Sequence, residues 1–117
     1  MTALPTPREV ALQLAELGRA LDTKTLEIAA LDEEATRKKA AFQVSFARAF
    51  MNAVGSVDAR KQLAVMATEV EHLEAELAEV KLRAAKEAIR TLRDRLDIGR
   101  SLNAAVRSEW EASGVTR

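Results

Sequence analysis

The 117-residue sequence contains no cysteine and no tyrosine, one histidine, one tryptophan and two prolines, Pro5 and Pro7. Each shortage closes off a class of protein. Without cysteine there is no disulfide scaffold, thiol chemistry or cysteine-ligated zinc. Aromatics make up only 3% of the chain and β-branched residues are scattered, so strand-forming runs are lacking. Nothing after Pro7 breaks a helix by proline chemistry. No apolar run is long enough for a membrane span, and no signal-peptide pattern opens the sequence, so the expected location is the cytoplasm. An excess of one charge is missing too. The 18 Lys and Arg residues balance 18 Asp and Glu residues, which counts against a life spent mainly on nucleic acid.

What the chain does have is helix-forming material. Apolar residues are 48% and charged residues 31%, dominated by Ala, Leu, Glu, Lys and Arg, the makeup of long helices and coiled coils. The length suits a single domain over 1–117, with 1–6 as a lead-in and 113–117 as a frayed tail. Thr6-Pro7-Arg8-Glu9 is a start signal: Thr6 can cap, Pro7 suits the first helical position, and Glu9 stands where a capping box needs a carboxylate. Apolar residues then recur at steps of three and four through Val10, Leu14, Leu17, Leu21, Ile28, Leu31, Ala35 and Phe42, with Lys24 and Lys38 interrupting the seam. Phe42, Phe46 and Phe50 continue it as core. Asn52-Ala53-Val54-Gly55-Ser56 is the convincing break, Gly55 taking a left-handed conformation and Ser56 capping the second helix. A second seam reads Leu63, Met66, Val70, Leu73, Leu77, Val80, Ala84. It then steps by four through Ala88, Leu92 and Leu96, a stutter, before resuming at Gly99, Asn103, Val106 and Trp110.

The expected fold is therefore all-α: helix 1 over about 7–53 and helix 2 over about 57–112, doubling back as a long antiparallel hairpin. A bend in helix 1 near Asp22–Thr25 is the alternative to a continuous helix. Charge supports the reversal. Residues 8–34 hold seven acids and three bases, 35–53 four bases, 57–79 six acids and two bases, and 80–110 eight bases and four acids. Folding at Gly55 brings residue i near 110 − i and sets opposite blocks side by side, with Arg37-Lys38-Lys39 facing Glu71 and Glu74, and Glu16 facing Arg93 and Arg95. Such pairs contribute little stability singly but select register. Most of the basic stretch KLRAAKEAIRTLRDRLDIGR (81–100) is expected to be neutralised in this way.

A stripe off the second seam, Ala75, Ala78, Leu82, Ala85 and Ile89, has no use in an isolated hairpin. With Trp110 it is the candidate self-association face, expected to pack two hairpins into a dimeric four-helix bundle or larger. The plainer reading is that alanine is common on helix surfaces; docking of a foreign helix is the sharper alternative. Trp110, in phase with the seam, also reads as a plug at the open end of the hairpin.

Signals for chemistry are sparse. Glu69 and His72, with Glu76 a turn later, echo the Glu-x-x-His spacing of di-iron bundles, but one histidine beside the seam reads better as solvated. Asp32-Glu33-Glu34, Asp94 and Asp97 read as surface. No phosphate loop, nucleophile elbow or zinc-protease pattern occurs. The expectation is no catalytic residue, no cofactor and no metal. Arg90, Arg93, Arg100 and Arg107 cannot all turn inward, and form a candidate phosphate-contact stripe.

Residues 59–110 resemble the C-terminal part of small helical, coiled-coil proteins encoded by tailed phages of Actinobacteria and Firmicutes. Arg60-Lys61 leading into Leu63, Lys81-Leu82-Arg83-Ala84-Ala85-Lys86, and Ala105-Val106-Arg107-Ser108-Glu109 carry the resemblance over a little under half the chain. Such proteins have no assigned function and often lie among genes for DNA replication and recombination. The resemblance implies a setting in the bacterial host cytoplasm and brings no catalytic residues. The resulting expectation is a non-enzymatic protein that acts by self-association and by binding a host or phage protein. The alternatives are an accessory nucleic-acid-binding protein and, more weakly, a virion assembly or scaffolding component. No membrane partner is expected.

Overall fold

The computed structural model describes residues 5–114. The first residues of the expected lead-in and the last of the expected frayed tail lie outside that range. Three helices succeed one another: α1 (Pro7–Asn52), α2 (Val57–Ala67) and α3 (Glu69–Ala112). There is no strand among the described residues.

The start of α1 is built as its sequence requires. The Glu9 amide donates to the Thr6 hydroxyl at 3.1 Å and the Thr6 amide donates to the Glu9 carboxylate at 3.2 Å, a reciprocal capping box. The helix runs unbroken through Asp22–Thr25. There the hydroxyls of Thr23 and Thr25 donate to the carbonyls of Arg19 and Leu21, so both threonines are satisfied inside the helix instead of ending it. Four residues connect α1 to α2. Gly55 has φ +126°, a region open to glycine and closed to side-chain-bearing residues. Ser56 then caps α2, its hydroxyl accepting from the Ala59 amide at 3.2 Å. At the far end, α3 stops at Ala112, and Gly114 has φ +73°.

The single helix expected over 57–112 is interrupted at Thr68, which leaves the α-helical basin at φ −115°, ψ 22°. Its buried hydroxyl donates to the Ala64 carbonyl at 2.7 Å, and its amide donates to the same oxygen at 3.1 Å. A threonine bonding back to residue i−4 loads that carbonyl with two donors and bends the helix. The interruption is slight, since the His72 amide still reaches the Thr68 carbonyl at 2.9 Å.

The chain clusters into two compact units, residues 27–86 in one and the residues up to Leu26 with those from Glu87 onward in the other. In the 27–86 unit, α1 meets α2 and α3 in antiparallel sense. Lys38 reaches Glu74 at 3.0 Å, the Phe42 and His72 rings meet at a tilt with centroids 4.9 Å apart, and Arg60 lies over Phe50. The number pairs total 110 to 114, close to the register anticipated from the charge blocks. A core of Ala35, Ala78 and Leu82 is flanked by Ile28 and Leu31. In the other unit, Val10 and Val106 are fully buried. A side chain at Gly99 would run into Leu14, with a Cβ only 2.6 Å from its Cδ2; here too the N-terminal part of α1 lies against the C-terminal part of α3.

One expectation about packing is reversed. In the 27–86 unit the side chains buried on α2 and α3 are Ala64, Thr68, Ala75, Ala78, Leu82 and Ala85. The expected seam of Leu63, Met66, Val70, Leu73, Leu77 and Val80 is exposed instead. In the other unit the buried or half-buried positions of α3 are Ala88, Ile89, Leu92, Leu96, Gly99, Asn103, Val106 and Trp110; all but Ile89, expected on the self-association stripe, belong to the anticipated seam. Positions 64, 68, 71, 75, 78, 82, 85, 89, 92, 96, 99, 103, 106 and 110 make an unbroken alternation of four and three. The stutter is therefore absent, because it arose from starting the repeat on the wrong stripe. The physical reason for the inner stripe is steric: alanine lets two helix backbones approach more closely than leucine does.

Candidate protein-interaction surface

The seven-residue repeat places Leu63, Met66, Val70, Leu73, Leu77 and Val80 on the side of α2 and α3 turned away from the buried stripe. All six belong to the 27–86 unit. Their exposures run from 48% at Val80 to 73% at Met66. Scattered exposed apolar residues need no explanation, but six large ones in a continuous stripe make a candidate interaction site. The scale of the imbalance is clear across the described residues. Ten apolar side chains are buried, five of them alanine, whereas fifteen large hydrophobic side chains are exposed.

The residues anticipated as a self-association face stand elsewhere. Ala75, Ala78, Leu82, Ala85 and Ile89 are between 5% and 7% exposed. They are covered within the chain, so they cannot also receive a partner; the apolar face left over is the stripe above. Trp110 is half-buried, and its carbonyl accepts from the Ser113 hydroxyl at 2.8 Å.

The charge blocks meet in part. Lys38–Glu74 joins two helices, as anticipated for the 37–39 cluster. Arg37 pairs instead with Glu33 of its own helix. Glu16 makes no ion pair with Arg93 or Arg95 among the described residues. Of the candidate phosphate-contact stripe, Arg90 pairs with Glu87 at 3.1 Å and Arg100 with Asp97 at 3.5 Å, while Arg93 and Arg107 are exposed. A spacing of seven puts Arg93, Arg100 and Arg107 on one line along α3.

His72 lies on the surface between Phe42 and Glu76, whose Oε1 is 3.5 Å from Nε2. Phe42, Phe46, Val65, Thr68, Glu69 and His72 line a hollow of about 160 Å³, and Phe42 and His72 also border a shallow one of about 390 Å³ with Lys39, Glu76 and Arg83. No group of three or more His, Asp or Glu side chains is placed to hold a metal ion among the described residues. No helix in that range is long and apolar enough to cross a membrane.

Comparison with protein-family models, curated proteins and solved structures gives no match. The reading of this surface therefore rests on its own chemistry.

The exposed stripe carries a heptad pattern in the sequence, and its bulk points it to the core, the opposite of where it lies. A usable signal was present: only the phase beginning at Ala64 and Thr68 continues to Trp110 without an insertion. The bend at Thr68 had no distinct signal, since a threonine inside a helix is ordinary until its burial is known.

Proposed function

We propose that this is a non-enzymatic helical protein that works by self-association and by binding another protein. The observation that carries the proposal is the uncovered stripe from Leu63 to Val80, beside an internal core half made of alanine. Burying such a stripe in water is strongly favourable, at about 25 cal/mol per Å² of apolar surface. A symmetric dimer supplies the missing cover from the same chain, and two helix pairs joined in this way make a four-helix bundle or a larger assembly. The resemblance of residues 59–110 to phage-encoded helical proteins supplies the setting: the cytoplasm of a bacterial host, in phage DNA replication and recombination or in takeover of the host. Sedimentation equilibrium at micromolar concentration tests the central claim. A mass of twice 12.8 kDa or more is expected, and a stable monomer rejects it.

A second reading, accessory binding to nucleic acid, is favoured by the line of Arg93, Arg100 and Arg107. Gel shift with single- and double-stranded DNA over a salt series separates the two. Affinity that falls steeply with salt would support the phosphate-contact role, whereas no shift at physiological salt would leave the protein-binding role alone.

A further inference from the structure

Binding of another protein needs a face that self-association through the Leu63–Val80 stripe leaves free. The unit formed by the residues up to Leu26 and from Glu87 onward has one, and the inference drawn from it rests on the protein-binding reading above. Two hollows fix how the helices of this unit flank each other: Gln13 lies with Arg95 and Leu102 in one, and Ala20 with Ala88 and Arg95 in the other. The opposite flank therefore sets Ala11, Gly18 and Thr25 of α1 beside Arg93, Arg100 and Arg107 of α3, each row repeating every seven residues, or about 10.5 Å. Arg93 and Arg107 are exposed and make no ion pair among the described residues, and Arg100 has only the 3.5 Å contact with Asp97. The outer edge of α1 adds Arg8 and Asp22, one charge of each sign. Glycine in the body of a helix costs stability. Gly99 has an internal reason, since a side chain there would strike Leu14, but at Gly18 a Cβ would meet nothing within 4 Å. Nothing inside the chain requires Gly18 to lack a side chain, whereas a helix approaching from outside does.

We infer that a helix of another protein, carrying acidic and large apolar side chains at seven-residue intervals, docks in this valley. Its apolar groups lie over Ala11, Gly18 and Thr25, and its carboxylates meet Arg93, Arg100 and Arg107. Two rows in one period are what a third helix meets in a coiled coil. Charge density separates this occupant from nucleic acid. Residues 8–26 hold three bases and three acids, and residues 87–111 hold five of each. The arginine row spans about 21 Å, along which a duplex carries about 12 phosphates, against three arginines with no net charge behind them. One carboxylate per heptad matches the row one for one. A second copy does not supply it, because no three acids in this sequence stand at successive seven-residue steps.

Fluorescence anisotropy at physiological salt compares three probes. The first is a synthetic peptide of about 28 residues with leucine and glutamate each recurring every seven residues on one face. The others are a shuffled peptide of the same composition and a DNA duplex of about 20 base pairs. The repeat peptide should bind about tenfold more tightly than either. Arg93→Glu/Arg107→Glu should lose about tenfold with that peptide and regain it when the peptide's glutamates are replaced by lysine. Gly18→Leu should abolish binding while raising the melting temperature, since leucine is the better helix former. Leu73→Glu/Leu77→Glu, which disrupts the other stripe, should bind the peptide as the original chain does. Circular dichroism of each variant checks that the helices persist. No binding of the repeat peptide, equal binding of the shuffled one, preference for DNA, or undiminished binding by Gly18→Leu overturns the inference and leaves self-association standing. A monomeric wild-type chain that still binds the repeat peptide removes self-association alone.

Discussion

Arg60 shows how much one side chain contributes to the turn between α1 and α2. Its guanidinium carbon lies 4.4 Å from the centre of the Phe50 ring, and its Nε donates to the Phe50 carbonyl at 3.4 Å. That carbonyl is in the last turn of α1, which carries no basic residue of its own. A cation supplied from α2 therefore answers both an under-satisfied carbonyl and the negative end of the helix. Arg60→Ala should cost about 1 kcal/mol in chemical denaturation, most of it from the stacked cation. Arg60→Lys should recover only part of that, since an ammonium lacks the planar face and the Nε donor. Equal stability of all three proteins would show that the contact contributes nothing. At this scale the sequence was a good guide wherever the chemistry is local. Thr6 with Glu9, and Ser56 before α2, satisfy backbone donors three residues away, so their roles can be read from spacing alone. Arg60 over Phe50 depends on the turn closing first, and no spacing rule announces it.

Along a whole helix, the difficulty is that α2 and α3 carry two apolar stripes with the same repeat. Leu63, Met66, Val70, Leu73, Leu77 and Val80 have the bulk, and reading by bulk assigns them to the core. Ala64, Ala75, Ala78 and Ala85 have the position, and alanine sits equally well inside or outside a helix pair. Burial alone distinguishes the two, apart from the forced insertion after Ala84. Substitutions separate the stripes directly. Leu82 is 5% exposed and touches Ala35 and Ala78 in the core cluster, whereas Leu77 is 52% exposed. Leu82→Ala should therefore destabilise the fold by about 2–4 kcal/mol, the usual cost of a cavity left by a buried leucine. Leu77→Ala, measured at a dilution where the chain is monomeric, should cost less than about 0.5 kcal/mol, as surface substitutions do, while weakening association at higher concentration. The opposite ranking would restore the bulky stripe to the core. The antiparallel sense of the hairpin was more legible, because opposed charge blocks and a lone glycine-containing break point to the same reversal. Lys38 and Glu74 realise that logic; Arg37, drawn to Glu33 four residues away, does not.

For the molecule as a whole, the consequence is that folding and association should be coupled. Five large apolar side chains are buried and fifteen are exposed among the described residues, a thin core for a chain of 117 residues, and small cores need additional staples or oligomerisation. Disulfides are excluded by the absence of cysteine; a binding partner, as proposed above, would supply the burial instead. If that partner is a second copy, the melting temperature must depend on protein concentration, because mass action favours the folded dimer over two unfolded chains. With unfolding enthalpies near 0.7 kcal/mol per residue, a tenfold increase in concentration should raise Tm by about 3 °C. The double substitution Leu73→Glu/Leu77→Glu places charge in the middle of the exposed stripe without touching the buried one. It should lower Tm at high concentration and abolish the concentration dependence, while leaving the helical signal in place at low temperature. A wild-type melting curve that does not move over two decades of concentration would mean that the alanine-lined helix pair is stable on its own, and the exposed leucines would then have to be explained by a different molecule.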